Sequence, residues 1–392
     1  VDAPALEGRA RRARAVFWPE RRGNALEARH KSMTPASTES VSIALIGHGV
    51  WGEKIARTLG RVPRASLHTV CDVSEPARQR AKAASPKVRV AACLDEVIEG
   101  DQARAVIIAT PPASHAELAL RAIEAGLDVM VEKPMALCLD QARRLEGAAR
   151  EAGRVLMVGH ILEYHPAVVE LRRRIADGEM GEVQVVISER LSSSLSRHED
   201  AWWSLGPHDV SVLRFLTGES PTRVAVSSLA AGPVNVAAAR IECGQGSLGL
   251  AHFSLVDAQK VRRIVVVGSE RVAIFDDLRE EQRLSVVDVD DVGTARLADV
   301  VGLAREYSPA RQSARDVLDG VAPNRWLPLG AGSGIRVEPR AALELEAEHF
   351  VSGVLDGRPV QSDATSGREV VAVLVAGQRS LEQGGFAEVA LD

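Results

Sequence analysis

Four residues in the first third of the chain have the types and spacing of a clamp for a dinucleotide. Gly47, Gly49 and Gly52 follow the apolar run Val41–Ile46, and Asp72 lies about 20 residues beyond the last of them. Gly47 permits the tight turn off a strand, Gly49 lets a pyrophosphate approach bare backbone, and Gly52 lets a helix pack close to the sheet. His48, Val50 and Trp51 complete the turn and the start of a helix running to Leu59, whose free N–H groups and positive dipole end would face the phosphates. A glycine triplet alone is weak evidence. Its context makes the difference: a strand before it, a helix after it, and a second strand, Ser66 to Cys71, that ends at Asp72. A carboxylate there binds the ribose 2′- and 3′-hydroxyls, and no Arg follows in Val73-Ser74. The site therefore favours NAD over NADP, whose 2′-phosphate the carboxylate would repel.

Two further stretches sit at the carboxyl ends of expected parallel strands, where open α/β sheets bind ligands. The fourth strand runs into Thr110-Pro111-Pro112 with His115 just beyond, and the fifth ends in Glu132-Lys133-Pro134. Most lysines are solvated surface groups, and Lys133 has that ordinary reading. Its place at a buried strand end, with Pro134 fixing the exit, argues for a ligand-facing role. Pro111-Pro112 reads as a rigid turn that also holds the loop open for the nicotinamide ribose.

The elements that position these groups are legible as periodicity. From residue 41 to 160 strands alternate with helices: apolar runs at 41–46, 66–71, 88–92, 105–109, 129–131 and 155–158 are separated by segments of helical spacing, such as His115, Leu118, Ala119, Ala122 and Ile123. Such alternation predicts right-handed crossovers and a parallel sheet covered on both faces, a Rossmann domain. After His160 the character changes. A helix is expected from Pro166 to Ile175, followed by strand-like runs at 183–190, 222–228, 234–243, 247–255, 262–267 and 284–289. Turns such as Gly232-Pro233 and Gly244-Gln245-Gly246 make the connections short, which predicts an α+β domain (161–392) with a large, open-faced, mainly antiparallel sheet. An open face predicts self-association as a homodimer or homotetramer. Residues 300–337 resist assignment. Helices with Leu343, Ala347, Phe350, Val351 and Val354 on one face, and from Thr365 to Leu381 behind an Asp363 cap, are expected to pack back on the first domain or the sheet edge.

The chain of 392 residues has a net charge of -5, which argues against a general nucleic-acid binder. Its four cysteines show no CxxC spacing, so neither a zinc site nor a disulfide framework is expected, and the cytoplasm is the expected compartment. No apolar run approaches the about 18 residues of a membrane span. Residues 1–40 differ in kind: Arg-rich at Gly8–Arg14, without an apolar signal region, and with Glu7, Glu20 and Glu27 against a transit peptide. They read as a disordered extension ahead of Met33, or as a basic arm for an acidic partner.

Together, Gly47-His48-Gly49 with Gly52, Asp72, Ala109–Pro112, Glu132–Pro134 and Leu205-Gly206-Pro207-His208-Asp209 resemble the glucose–fructose oxidoreductase/inositol dehydrogenase/rhizopine-catabolism (Gfo/Idh/MocA) family. The resemblance covers roughly residues 41–385 and implies hydride transfer between nicotinamide and a carbon of a sugar, sugar nucleotide or cyclitol. It assigns Lys133 to the nicotinamide ribose and the reacting hydroxyl, and His208 to shuttling the proton, a task suited to imidazole. Tyr164, His165, Trp203 and Asp209 are expected on the substrate side; Tyr164-His165-Pro166 reads equally as packing at the domain junction. The stretches around Gly159–Ala167 and Trp203–Ser211 look most like the branch acting on nucleotide-linked or acetamido sugars. One departure stands out. The family usually has Asp four residues before this His, and here the position is Ser204. On a helix Ser204 and His208 share a face, but a hydroxyl orients an imidazole without stabilising its cation. Asp200 and His198 are nearer candidates to compensate. The departure keeps a second reading in play, a dinucleotide-binding sensor or assembly partner without turnover. A transcription factor using the basic N-terminus lacks a helix-turn-helix pattern to go with it.

Overall fold

The computed structural model describes residues 39–193, 200–228, 234–289 and 333–391. The expectations for residues 1–38, for His198, for the Gly232-Pro233 turn and for most of 300–337 fall outside these residues.

Six parallel strands are built from the apolar runs of the first half: β1 (Val41–Ile46), β2 (Ala65–Cys71), β3 (Arg89–Ala91), β4 (Ala105–Ile108), β5 (Asp128–Glu132) and β6 (Leu156–Gly159). Their order is β3-β2-β1-β4-β5-β6, the doubly wound arrangement with its switch point between β1 and β4. Helices α1 (Val50–Leu59), α2 (Glu75–Ala84), α3 (Leu94–Glu99), α4 (His115–Glu124) and α5 (Leu139–Ala152) connect them. Because successive strand side chains point to opposite faces, Ile43 and Leu45 of β1 join one apolar cluster while Ala44 and Ile46 join the other. Burial on both faces explains why these strands read as continuous apolar runs.

The second half begins with α6 (Pro166–Ala176) and β7 (Val183–Ser193), followed by α7 (Ala201–Thr217). Seven more strands follow: β8 (Pro221–Ser228), β9 (Val236–Cys243), β10 (Leu248–Ser254), β11 (Val256–Gly268), β12 (Arg271–Asp276), β13 (Leu284–Asp288) and β14 (Ser333–Ile335). With β7 and β15 (Phe386–Glu388) they form a nine-stranded sheet, ordered β14-β13-β12-β11-β7-β10-β9-β8-β15. Every pairing is antiparallel except that of β7 with β10, which is parallel. Strand β12 was absent from the sequence expectation, although Val272, Ala273 and Phe275 are buried. Strand β11 starts six residues before the expected Arg262, because its polar opening, Asp257 to Lys260, lacks apolar alternation, and its register with β7 is irregular there.

One face of this sheet packs on α7 through Val186, Ala239, Phe253, Ile264 and Val266. The other carries Val185, Leu248, Val267 and Val272, all buried, beside the half-buried Ile187, Leu250 and Val265. That face is therefore not bare along its whole width.

The C-terminal helices are α8 (Ala342–Asp356) and α9 (Ala364–Gln383). Phe350, Val351 and Val354 of α8 enter the cluster of Ile43 and Leu45. On α9, Val371 enters the opposite Rossmann cluster, while its neighbours Val370, Val373 and Leu374 enter the core of the nine-stranded sheet. Asp363 caps α9 by accepting from the Ser366 N–H at 2.8 Å, as the sequence predicts.

Candidate active site

The glycines make the nucleotide edge possible. Gly47 has φ +94°, and a Cβ there would lie 2.6 Å from the Ala109 carbonyl oxygen. At Gly52 a Cβ would lie 2.1 Å from the Gly47 carbonyl oxygen. A Cβ at Gly49 would meet nothing within 4 Å, so the bare backbone there faces open space at the α1 N-terminus. Val50, at the first position of α1, is 80% exposed. Asp72 accepts from the backbone N–H groups of His48 at 2.7 Å and Ser74 at 2.8 Å, which aim its carboxylate across the same edge. This open cradle and oriented acid fit a dinucleotide with free ribose hydroxyls.

Around the cradle, other expected cofactor residues act as braces. The Trp51 indole N–H donates to the buried Glu132 carboxylate and ties α1 to the end of β5. Burial raises the Glu132 pKa against the opposing pull of Trp51 and Lys133. The His115 ring is buried with one nitrogen 2.7 Å from the Thr110 carbonyl oxygen and the other 2.9 Å from that of Pro134. It sits between the two loops that follow β4 and β5; burial lowers its pKa, and the neutral ring donates its single N–H to one of the two carbonyls. Thr110 Oγ1 accepts from Ser114 Oγ at 2.8 Å, while Pro111 and Pro112 are exposed.

Lys133 links this edge to the second sheet. Its ammonium donates to the Ser204 carbonyl oxygen at 2.8 Å. Ser204 and His208 both lie on α7, so the helical spacing expected for them stands. Pro207, inside that helix, has no N–H to give the Trp203 carbonyl. Among the described residues the buried Nδ1 of His208 has no hydrogen-bond partner. Burial holds this imidazole well below the usual histidine range, followed by Lys133, Arg190, His160 and Arg262. The structure thus brings Lys133, Ser204 and His208 into one electrostatic neighbourhood.

The four expected substrate residues have other partners. Tyr164 is buried, its hydroxyl 2.9 Å from Ser362 Oγ. His165 caps α6 by accepting from the Ala167 N–H at 3.2 Å and stacks on Phe275 at 4.7 Å between ring centroids. The Trp203 indole donates to Gln378 on α9 at 3.3 Å. Asp209 is buried against the Ser188 hydroxyl and the Arg190 guanidinium, the latter at 2.9–3.0 Å. Each of the four thus has a polar atom engaged within the protein, in packing, capping or pairing. Asp200, a candidate to compensate for Ser204, instead caps α7 by accepting from the Trp203 N–H at 3.1 Å.

Sequence reasoning missed three buried polar groups here, His160, Glu163 and Glu346, and the half-buried Arg190. His160 follows β6 at the same carboxyl edge as Lys133, a placement rule that would have found it. Glu346 on α8 is fully buried without a hydrogen-bond partner, and burial, then Glu132 and Glu163, push its pKa well up. Only the fold reveals that neighbourhood.

Residues 41–160 match the family model for the oxidoreductase family with an NAD-binding Rossmann fold (Gfo/Idh/MocA), and residues 168–274 match a C-terminal domain model of that family. The chain is 27% identical over 272 residues to the UDP-N-acetylglucosamine 3-dehydrogenase of Acidithiobacillus ferrooxidans, covering 68% of this chain and 75% of that protein. It is 33% identical over 145 residues to the scyllo-inositol 2-dehydrogenase (NAD(+)) of Bacillus subtilis, a match covering 36% of this chain and only 42% of that protein. Among solved structures, GenD2 from gentamicin A biosynthesis in complex with NAD superposes with a TM-score of 0.70 at 26% identity, covering 90% of this chain and 97% of that one. With both halves matched and the nucleotide edge formed, the chain belongs to the Gfo/Idh/MocA family of NAD-binding oxidoreductases.

Proposed function

We propose that the protein oxidises or reduces a carbinol carbon of a sugar, with sugar nucleotides or acetamido sugars as the preferred class, using NAD. The observation that carries this reading is the contact of Lys133 with the Ser204 carbonyl, which places an ammonium between the nucleotide edge and the helix that bears His208. Bound NAD supplies the hydride acceptor. Lys133 stabilises the developing alkoxide and lowers the alcohol's pKa, while His208, held neutral, accepts the hydroxyl proton. Ser204 contributes its carbonyl to hold Lys133 in place. Asp72 selects NAD through the ribose hydroxyls.

The sugar-nucleotide class is supported by the relative from Acidithiobacillus ferrooxidans. Self-association through the second face of the nine-stranded sheet belongs to the same reading, supported by the half-buried strip of Ile187, Leu250 and Val265. Light scattering after gel filtration tests it. The four cysteines are free thiols, which supports the cytoplasm as the working compartment.

The decisive assay follows absorbance at 340 nm with NAD and a panel comprising UDP-N-acetylglucosamine, other sugar nucleotides, free sugars and inositols. Cofactor reduction that disappears in K133A supports the proposal. Tight NADH binding with no turnover of any sugar or keto-sugar, unchanged in K133A, would favour the sensor reading that Ser204 keeps open.

A further inference from the structure

His160 lies one residue past β6, on the edge shared with Lys133, and is 1% exposed. Both its ring nitrogens are buried without a hydrogen-bond partner among the described residues. A buried donor and acceptor left unmade are costly, and native proteins keep few of them. An apolar ring would fill the same space without that cost, so an imidazole here points to a polar occupant. The electrostatic surroundings narrow its chemistry. Burial, then Arg214 and Lys133, push the ring down to about 3, so it is neutral at working pH, with one N–H and one free lone pair. Those same cations disfavour a positively charged occupant. A group that both donates and accepts without carrying charge suits the ring best, and hydroxyls and carboxamides are such groups.

We propose that His160 is a third ligand-contacting side chain of the reaction centre, beside Lys133 and His208, and hydrogen-bonds an uncharged polar group of the bound complex. Two sources present that chemistry: a hydroxyl of the sugar and the carboxamide of the nicotinamide. The inference rests on the NAD-dependent oxidoreductase reading for the identity of the complex. Among the described residues the His160 ring is held by burial alone, unlike His115, whose ring nitrogens face the carbonyl oxygens of Thr110 and Pro134.

The test compares wild type, H160F and H160N in three measurements on the full chain: NADH affinity by fluorescence titration, KM and kcat on the best member of the sugar panel, and Tm. Loss of one ligand hydrogen bond should raise a dissociation or Michaelis constant by roughly tenfold in H160F, with partial rescue in H160N, whose amide keeps a donor and an acceptor. The Tm of H160F should stay level or rise, since an unsatisfied buried group has been removed. Weakened NADH binding assigns the contact to the carboxamide, and a raised KM at unchanged NADH affinity assigns it to the sugar. Unchanged NADH affinity, KM and kcat in H160F overturn the inference and leave His160 with a structural water or packing only. A wild type that turns over nothing sinks the oxidoreductase reading separately. The NADH titration then decides for His160 by itself: weakening with rescue supports the contact, and no change overturns it.

Discussion

At the scale of single residues, Lys133 and Glu163 give separable predictions. Replacing Lys133 by Met removes the ammonium but keeps most of the stem. Turnover should fall by about 10²–10⁴-fold, well beyond the loss of NADH affinity from one ribose contact, because Asp72 and the glycine backbone are untouched. Steady-state kinetics beside fluorescence titration read the two effects apart. Glu163 concerns stability. Burial pushes its carboxyl up to about 8, so the folded protein binds this proton more tightly than the unfolded chain does. Between the ordinary Glu range and about 8 the unfolded state therefore holds fewer protons, and stability falls as pH rises until it levels off above that point. Glu163→Gln removes the penalty. Its Tm advantage over wild type should be clearly larger at pH 8 than at pH 5, and an equal difference at both values would contradict the shift. These residue-scale features were unevenly legible in sequence. Lys133 and Asp72 stood out because each ends a parallel strand. Tyr164, His165, Trp203 and Asp209 lay close to motif residues in sequence, yet their polar atoms are taken by Ser362, Ala167, Gln378 and Arg190, partners up to 198 residues away. Sequence proximity carries no information about such pairing.

At the scale of elements, two contacts fix the site. The α1 helix can approach β1 only because Gly52 has no Cβ; the atom it would strike is backbone and cannot swing aside. Gly52→Ala should cost about 1–3 kcal/mol of stability and weaken NADH binding, both seen in a melt with and without NADH. The α7 helix is anchored to β7 by the pair of Asp209 and Arg190, with Asp209 the more buried partner. Breaking a buried pair from one side costs about 3–5 kcal/mol. Asp209→Ala should therefore destabilise strongly and lower kcat through its neighbour His208, whereas joint replacement of Asp209 by Leu and Arg190 by Met should recover much of the stability. Double-mutant melts measure that recovery. Most elements were readable from period alone. The exceptions, β12, the early start of β11 and the three-residue β15, depend on pairing with strands already in place rather than on their own pattern.

At the scale of the whole molecule, α9 decides whether the two sheets behave as one body. From Ser40 onward the described residues belong to one compact unit despite having two sheets. Consecutive residues of α9 explain this: Val371 is buried with the Rossmann strands, while Val370 is buried with the nine-stranded sheet. Gly377 lets the same helix close onto Trp202, since a Cβ there would lie 2.3 Å from the indole ring. The Arg214–Glu369 and Arg368–Glu146 pairs extend the seam to α7 and α5. A helix shared this way should make unfolding cooperative across both sheets. Loss of NADH binding, which reports on the first sheet, and loss of the NMR signal of the buried Trp202 indole N–H, which donates to the Leu374 carbonyl of α9, should then follow one transition. Gly377→Val should move both midpoints down together by several degrees, because it overpacks the ring against α9. Two separated transitions, or a Gly377→Val shift confined to the tryptophan signal, would mean that α9 lies against the Rossmann sheet without coupling to it. The nucleotide edge would then fold on its own, and the alignment of Lys133 with α7 would have to be made anew each time the two halves closed.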